Sequence, residues 1–159
     1  MTQEDFRKVC SLFSTGIAIL TVSGPGGIPH GLTINSFTSV SADPPLVLVC
    51  IDSACALLPY FDSALHFGLS FLEIGQRDVS TRFAFIPERR FDGIEWHQSD
   101  SGFVPFIDGA IGWMECKIDQ RVSAGDHRIL IGEVLDVQSN PDSSLSPLIY
   151  FASMYRQLA

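Results

Sequence analysis

Six small hydrogen-bonding side chains crowd the stretch 33–41: Thr33, Asn35, Ser36, Thr38, Ser39 and Ser41. They are neutral donors and acceptors, the kind that can hold a flat polar ligand without a formal charge. The same residues equally suit the solvated hydroxyl face of an exposed sheet. Farther along, Gly125-Asp126-His127 sets an imidazole beside a carboxylate in a turn-like joint. A histidine there is ordinarily a surface residue, and its ring changes charge close to neutral pH, which also suits it to a functional site. The other histidines, His30, His66 and His97, have no metal-ligand spacing with it, and no Cys/His cluster occurs, so no metal site is expected. Gly24-Pro25-Gly26-Gly27 lacks the dinucleotide fingerprint and opens no helix, so any nicotinamide nucleotide must bind without one. No G-x-S-x-G elbow supports a hydrolase.

The elements that must position these residues are legible in outline. Thr2, followed by Glu4 and Asp5, reads as a helix start, and Phe6, Val9, Cys10 and Phe13 form one apolar stripe. Gly16 is the expected stop. Residues 17–22 read as a strand, 24–27 as a turn, and 28–41 as the return strand of a hairpin. Residues 46–51 form a continuous apolar run, read as a buried strand beside the hydroxyl-rich one. A short helix limited by Pro59 is expected over 54–61, and a strand over 66–72. A helix over 75–85 should turn Val79, Phe83 and Phe85 inward, with Pro87 ending it. Residues 88–102 show no period and read as a long loop, a lid or an interface arm. Strands are expected over 107–122, 129–137 and 148–151, with Tyr155 in the tail. Roughly six or seven strands with few helices predict a mainly β fold: a closed antiparallel barrel with a few peripheral α-helices.

At 159 residues the chain should form a single domain over 1–159. Its net charge of −8 argues against nucleic acid, which is held through Lys and Arg contacts to phosphate. Only 18% of residues are charged, below the usual one in four, so a partner subunit is expected to cover part of the surface. Cys10, Cys50, Cys55 and Cys116 show no C-x-x-C spacing and are expected to be buried free thiols. The chain shows no signal peptide and no run of membrane-spanning length, so a cytoplasmic location and no membrane association are expected.

Thr-Ile-Asn-Ser-Phe-Thr-Ser-Val-Ser at 33–41, followed by Pro44-Pro45-Leu46-Val47, resembles the signature of the flavin reductase family with the FMN-binding split-barrel fold. The likeness continues at 76–84, at Gly125-Asp126-His127, at Ile131-Gly132-Glu133-Val134 and at 147–155, in family order over nearly the whole chain. It implies a split β-barrel and an NAD(P)H:flavin oxidoreductase, the reductase component of a two-component flavin monooxygenase. It also implies a homodimer with FMN or FAD near the subunit interface and NADH or NADPH as hydride donor. A flavin needs donors for its phosphate, hydrogen bonds at its ring edge and a fairly apolar slot at its face. Thr33, Asn35, Ser36, Ser39 and Ser53 can meet the first two demands. By resemblance, the Thr33–Ser41 segment lines the ring, and Cys50, Asp52 and Ser53 wrap toward the ribityl and phosphate. Gln76, Ser80 and Phe83 lie by resemblance near the phosphate end. His127 is implied as a residue that positions the nicotinamide, and Tyr155 as a ring-stacking contact or, alternatively, a core or interface aromatic.

Two positions depart from the family pattern. Ser70 stands where the family commonly has Asn, and Ser153 where Gly is usual. Serine keeps a hydroxyl but loses the amide donor, which bears on flavin affinity and on FMN against FAD. Two other functions remain open on the sequence: a split-barrel module that binds flavin without turnover, and a flavoenzyme that reduces a metal chelate or a quinone.

Overall fold

The computed structural model describes residues 1–158. Helix α1, Gln3–Ser11, starts at Thr2 in a capping box. The Thr2 hydroxyl accepts from the Asp5 N–H, and the Asp5 carboxylate accepts from the Thr2 N–H, both at 3.0 Å. The helix ends before Gly16, which instead lies in a short strand β1, Thr15–Gly16. The apolar stripe of α1 is not buried: Phe6, Val9 and Phe13 are all exposed, and Phe13 reaches 78%.

Strands β2, Ala18–Ser23, and β3, Pro29–Ile34, form the expected hairpin around the 24–27 turn. Gly26 and Gly27 take positive φ there, a conformation glycine adopts without steric cost. The expected single return strand over 28–41 is in fact broken. Residues 35–37 leave the ladder, and β4, Thr38–Ala42, pairs onward with β5, Pro45–Asp52. Helix α2 spans Leu58–Ser63, later than expected, because Pro59 sits in its first turn, where a missing N–H costs nothing. Strand β6, His66–Phe71, follows, then helix α3, Arg77–Phe85. The irregular stretch 88–102 contains β7, Trp96–Gln98, paired with β8, Pro105–Ile107. The long strands β9, Gly112–Ala124, and β10, His127–Ser139, form a hairpin, and β11, Ile149–Phe151, and β12, Met154–Arg156, finish the chain. Tyr155 is thus in a strand rather than a loose tail.

The main sheet has seven strands in the order β3-β2-β6-β9-β10-β5-β4, with every pairing antiparallel. The expected closed barrel is corrected here: among the described residues no ladder joins the edge strands β3 and β4. The reason lies at Ser36. It continues the register of the Thr38–Leu48 pair and stands opposite Cys50. Its hydroxyl, not its backbone, meets that residue: it donates to the Cys50 carbonyl and accepts from the Cys50 N–H, both at 3.0 Å. The molecule is therefore mainly β with three α-helices.

The sheet carries an apolar core on each side. One cluster gathers Leu20, Val22, Val49, Ile51, Phe61, Phe67, Leu69 and Leu130. The other sets Ile17, Ile19, Phe83, Ile107 and Leu148 under α3. Strand β2 feeds both, which is why residues 17–22 form an unbroken apolar run apart from Thr21. Thr21 is itself fully buried, and its hydroxyl donates to the Pro105 carbonyl at 2.5 Å. Val79 packs partly buried beside the second cluster and Phe83 is wholly buried, as the pattern predicts. Phe85 departs from it: at the last turn of α3 it is 76% exposed. The cysteines also differ from expectation. All four are free, but only Cys116 is buried, where burial pushes its thiol up to about 12.

Gly132 is a packing requirement of the first cluster. A Cβ there would come within 2.6 and 2.7 Å of the buried Phe67 ring. Gly132→Ala should lower stability by about 1–3 kcal/mol. Urea unfolding reads this as an earlier midpoint, and an unchanged midpoint would mean that Phe67 can move aside.

Candidate functional site

The break at residues 35–37 makes the site. Because Ser36 turns its hydroxyl onto Cys50, the chain steps out of the sheet and leaves Asn35 exposed between two recesses. The Asn35 amide has no hydrogen-bond partner among the described residues. One recess, about 170 Å³, lies between Ile17, Thr33, Asn35, Ser80, Phe85 and Tyr155. The other, also about 170 Å³, lies between Phe13, Gly16, Asn35, Phe37 and Phe71.

The first recess is held by a relay across three distant parts of the chain. Helix α3 packs against β3, and Gly31 allows the approach. A Cβ there would meet the Phe83 ring at 3.0 Å and the Leu20 carbonyl at 3.2 Å. Thr33 then donates its hydroxyl to the Ser80 carbonyl at 2.6 Å. The buried Ser80 hydroxyl meets the Tyr155 hydroxyl at 2.9 Å. Tyr155 is anchored through β12 and β11 to β1. The walls are apolar (Ile17, Phe85, Tyr150) and the floor polar (Thr33, Asn35), a donor set suited to a flat heteroaromatic ring.

A second constellation lies where β5 and β10 end together. Asp52 pairs in register with His127. The Ser53 N–H donates to the Asp126 carbonyl at 2.9 Å, and the Asp52 carboxylate accepts from the Ala54 N–H at 2.8 Å. His127 Nδ1 lies 2.7 Å from an Asp126 carboxylate oxygen. That hydrogen bond, with the charge interaction behind it, holds the Asp126 carboxyl below its ordinary value. A carboxylate only accepts, so Nδ1 carries a proton in this pair, and Nε2 has no hydrogen-bond partner among the described residues. The His127 ring is partly exposed and available to a ligand.

The remaining sequence candidates divide. Ser36 and Cys50 are engaged with each other, and burial pushes the Cys50 thiol up. Ser39 is exposed on β4 opposite Val47. Gln76 has both ends of its amide occupied, donating to the Asp108 carbonyl at 2.7 Å and accepting from the Glu73 N–H at 3.1 Å. Ser70 is fully buried, and its hydroxyl accepts from the Ile107 N–H at 2.9 Å. Phe83 is fully buried beneath α3. These last three brace the walls.

Sequence reasoning missed a further recess. It measures about 470 Å³ and is lined by Pro29, His30, Tyr60, Arg89, Arg90 and Phe91, among others. His30 stacks on Tyr60 at 3.7 Å between centroids, and burial lowers the tendency of its ring to protonate. Arg90 donates to the Ile86 carbonyl at 2.5 Å and to the Gly31 carbonyl at 2.8 Å, which ties the 86–92 loop to β3. The adjacent Arg89-Arg90 pair was the available signal, but it lay in a stretch without periodicity. Among the described residues no cluster of His, Cys, Asp and Glu could hold a metal ion. No helix there is long and apolar enough to cross a membrane.

The family profile described as Flavin reductase like domain matches residues 10–159. The chain belongs to that family. It is 42% identical over 132 residues to the FMN reductase (NADH) SmoA of Agrobacterium fabrum, covering 83% of this chain and 74% of that one. It is 37% identical to the stachydrine N-demethylase reductase subunit Stc3 of Rhizobium meliloti, over 84% of this chain but only 58% of that protein. Among solved structures, the NADH:FAD oxidoreductase SgcE6 of Streptomyces globisporus, in complex with NAD and FAD fragments, superposes with a TM-score of 0.91 at 33% identity. That match covers 99% of this chain and 93% of the other.

Among the described residues the Ser36 hydroxyl is the one partner of both Cys50 backbone groups on the β4 side. Ser36→Ala should therefore cost about 1–3 kcal/mol. Hydrogen exchange should report it as faster exchange of the Cys50 amide, and retained protection would show that water or backbone replaces the hydroxyl.

Proposed function

We propose that the protein is an NAD(P)H:flavin oxidoreductase that supplies reduced FMN or FAD to a partner flavin-dependent monooxygenase. The observation that carries this reading is Asn35, an exposed amide without an intramolecular partner at the break between β3 and β4. Its neighbours fit a flavin: apolar flanks at Ile17 and Phe85 for the ring, and Thr33 and Ser80 beneath. When bound, the flavin accepts a hydride from the reduced nicotinamide, and most of that chemistry belongs to the two cofactors. The protein's part is to hold two rings face to face and to exclude other geometries.

In this assignment Asn35 and Thr33 address the ring, Ser36 holds the strand break that exposes Asn35 through its bonds to Cys50, and Ser39 lies farther along β4. Cys50, Asp52 and Ser53 lie along the ribityl chain, with Gln76, Ser80 and Phe83 as support. Tyr155 borders the ring slot, and Ser70 fixes the β6–β8 contact behind it. His127 positions the nicotinamide through its free Nε2, its ring oriented by Asp126.

The barrel is split rather than sealed, acts as one domain over 1–159, and works as a homodimer. Support for the dimer comes from α1, which buries none of its own apolar stripe. Phe13, exposed on that face, also borders the recess beside Asn35, so a second copy there would complete the slot. The four unpaired thiols suit a reducing cytoplasm.

The test is anaerobic stopped-flow absorbance at the oxidised flavin band, mixing protein and FMN or FAD with NADH or NADPH. Protein-dependent bleaching is expected. Flavin binding without bleaching would favour a storage module, and bleaching that turns over only with a quinone or metal chelate would favour a different acceptor. His127→Ala should slow flavin reduction by about 10-fold or more while changing flavin affinity little; a wild-type rate would remove it from the assignment. Asn35→Ala should weaken flavin binding by about 1–2 kcal/mol, measured by fluorescence titration, and unchanged affinity would count against the β3 assignment.

A further inference from the structure

A further recess shares Tyr155 with the ring slot. It measures about 470 Å³ and is lined by Ile74, Arg77, Leu148, Tyr155, Arg156 and Gln157. Resting on the reading of the Asn35 slot as a flavin and nicotinamide site, we propose that Arg77 and Arg156 bind the pyrophosphate of the nicotinamide dinucleotide in this recess.

The charge distribution is the first argument. The protein carries 10 basic against 18 acidic residues, yet two of the ten converge here. Among the described residues no carboxylate lines the recess. Among the described residues the ion pairs engage Arg89, His97, His127 and Arg128, and neither Arg77 nor Arg156. Arg77 sets its guanidinium carbon 5.0 Å from the Tyr155 ring centroid. Among the described residues, the Arg156 side chain meets the Met154 sulfur, at 4.0 Å. Two unspent guanidinium groups repel each other until an anion joins them, and their planar forks match phosphate oxygens.

Position is the second argument. Tyr155 walls both recesses, and its hydroxyl is fixed on Ser80 in the ring slot. In a nicotinamide dinucleotide the pyrophosphate follows directly on the nicotinamide ribose. Because Tyr155 borders both recesses, a nicotinamide at the ring slot would bring the pyrophosphate toward the arginine-lined one, with the adenosine ribose farther out. The third argument is need. The chain has no Gly-rich turn opening a helix, the usual means of neutralising a pyrophosphate through backbone N–H groups. Side-chain cations can take that part, and among the described residues neither of these two is engaged in an ion pair.

The experiment uses the full chain and its Arg77→Gln, Arg156→Gln and doubly substituted forms. Calorimetry with ADP-ribose, which has the pyrophosphate but no nicotinamide, should show at least about 10-fold weaker binding in the double variant. The KM for NADH should rise by a similar factor with kcat nearly unchanged. The rate with 1-benzyl-1,4-dihydronicotinamide, which carries no phosphate, and the affinity for flavin should both stay at wild-type levels. Unchanged ADP-ribose binding would overturn the proposal, as would an equal loss with the phosphate-free donor. A selective loss of 2′-phospho-ADP-ribose binding would also overturn it by moving the arginines to the 2′-phosphate. Absence of flavin reduction by the wild-type chain with either donor would defeat the underlying reading instead. Normal wild-type turnover with unaffected variants would defeat only the arginine assignment.

Discussion

The hydroxyl of Ser36 does what a backbone strand would otherwise do. It satisfies both the N–H and the carbonyl of Cys50, so β5 is not left with an unpaired pair of groups where β4 ends. That substitution frees the neighbouring backbone to leave the sheet. The step at 35–37 follows, and so do the exposed Asn35 amide, the recesses on its two sides and the separation of β3 from β4. A continuous ladder at this point would have sealed the edge and hidden the amide.

The site is then stiffened by contacts that bridge long stretches of sequence. Thr33 to Ser80 joins β3 to α3, and Ser80 to Tyr155 joins α3 to the C-terminal strands. Gly31 matters because it lets Phe83 lie against β3, and that close approach brings Ser80 within reach of Thr33. Gln76, Ser70 and Arg90 act in the same spirit at the periphery, each fixing a loop to a strand. Little of this scaffold is charged. Hydroxyl and amide groups hold the ring slot, while the unpaired guanidinium groups stand beyond Tyr155.

Acidic residues outnumber basic ones by 18 to 10, a net charge of −8. The arginine pairs at 89–90 and at Arg77 and Arg156 border recesses. The uncovered apolar residues are likewise local. Phe6 and Val9 lie on α1, Phe13 follows just after it, and Phe85 ends α3 beside the ring slot.

The sequence by itself determined the mainly β character, the hairpins at 24–27 and 125–126, the capped first helix and the buried run of β5. Periodicity and turn residues act over a few neighbours, and these features need no more. The words of the 33–41 segment and of Gly125-Asp126-His127 also pointed to the family. Tertiary structure decided which of the named polar residues face a recess. Ser70, Gln76 and Ser36 read alike with Asn35 along the chain, yet their side chains are engaged by Ile107, Asp108 and Cys50, which lie 37, 32 and 14 residues away. Only the fold could assign those partners. It also decided that α1 and Phe85 stay uncovered, because an amphipathic pattern states which face is apolar and not what meets it. The arginines around Tyr155 were invisible for the same reason: 79 residues separate Arg77 from Arg156, and a shared recess is a property of the packed chain.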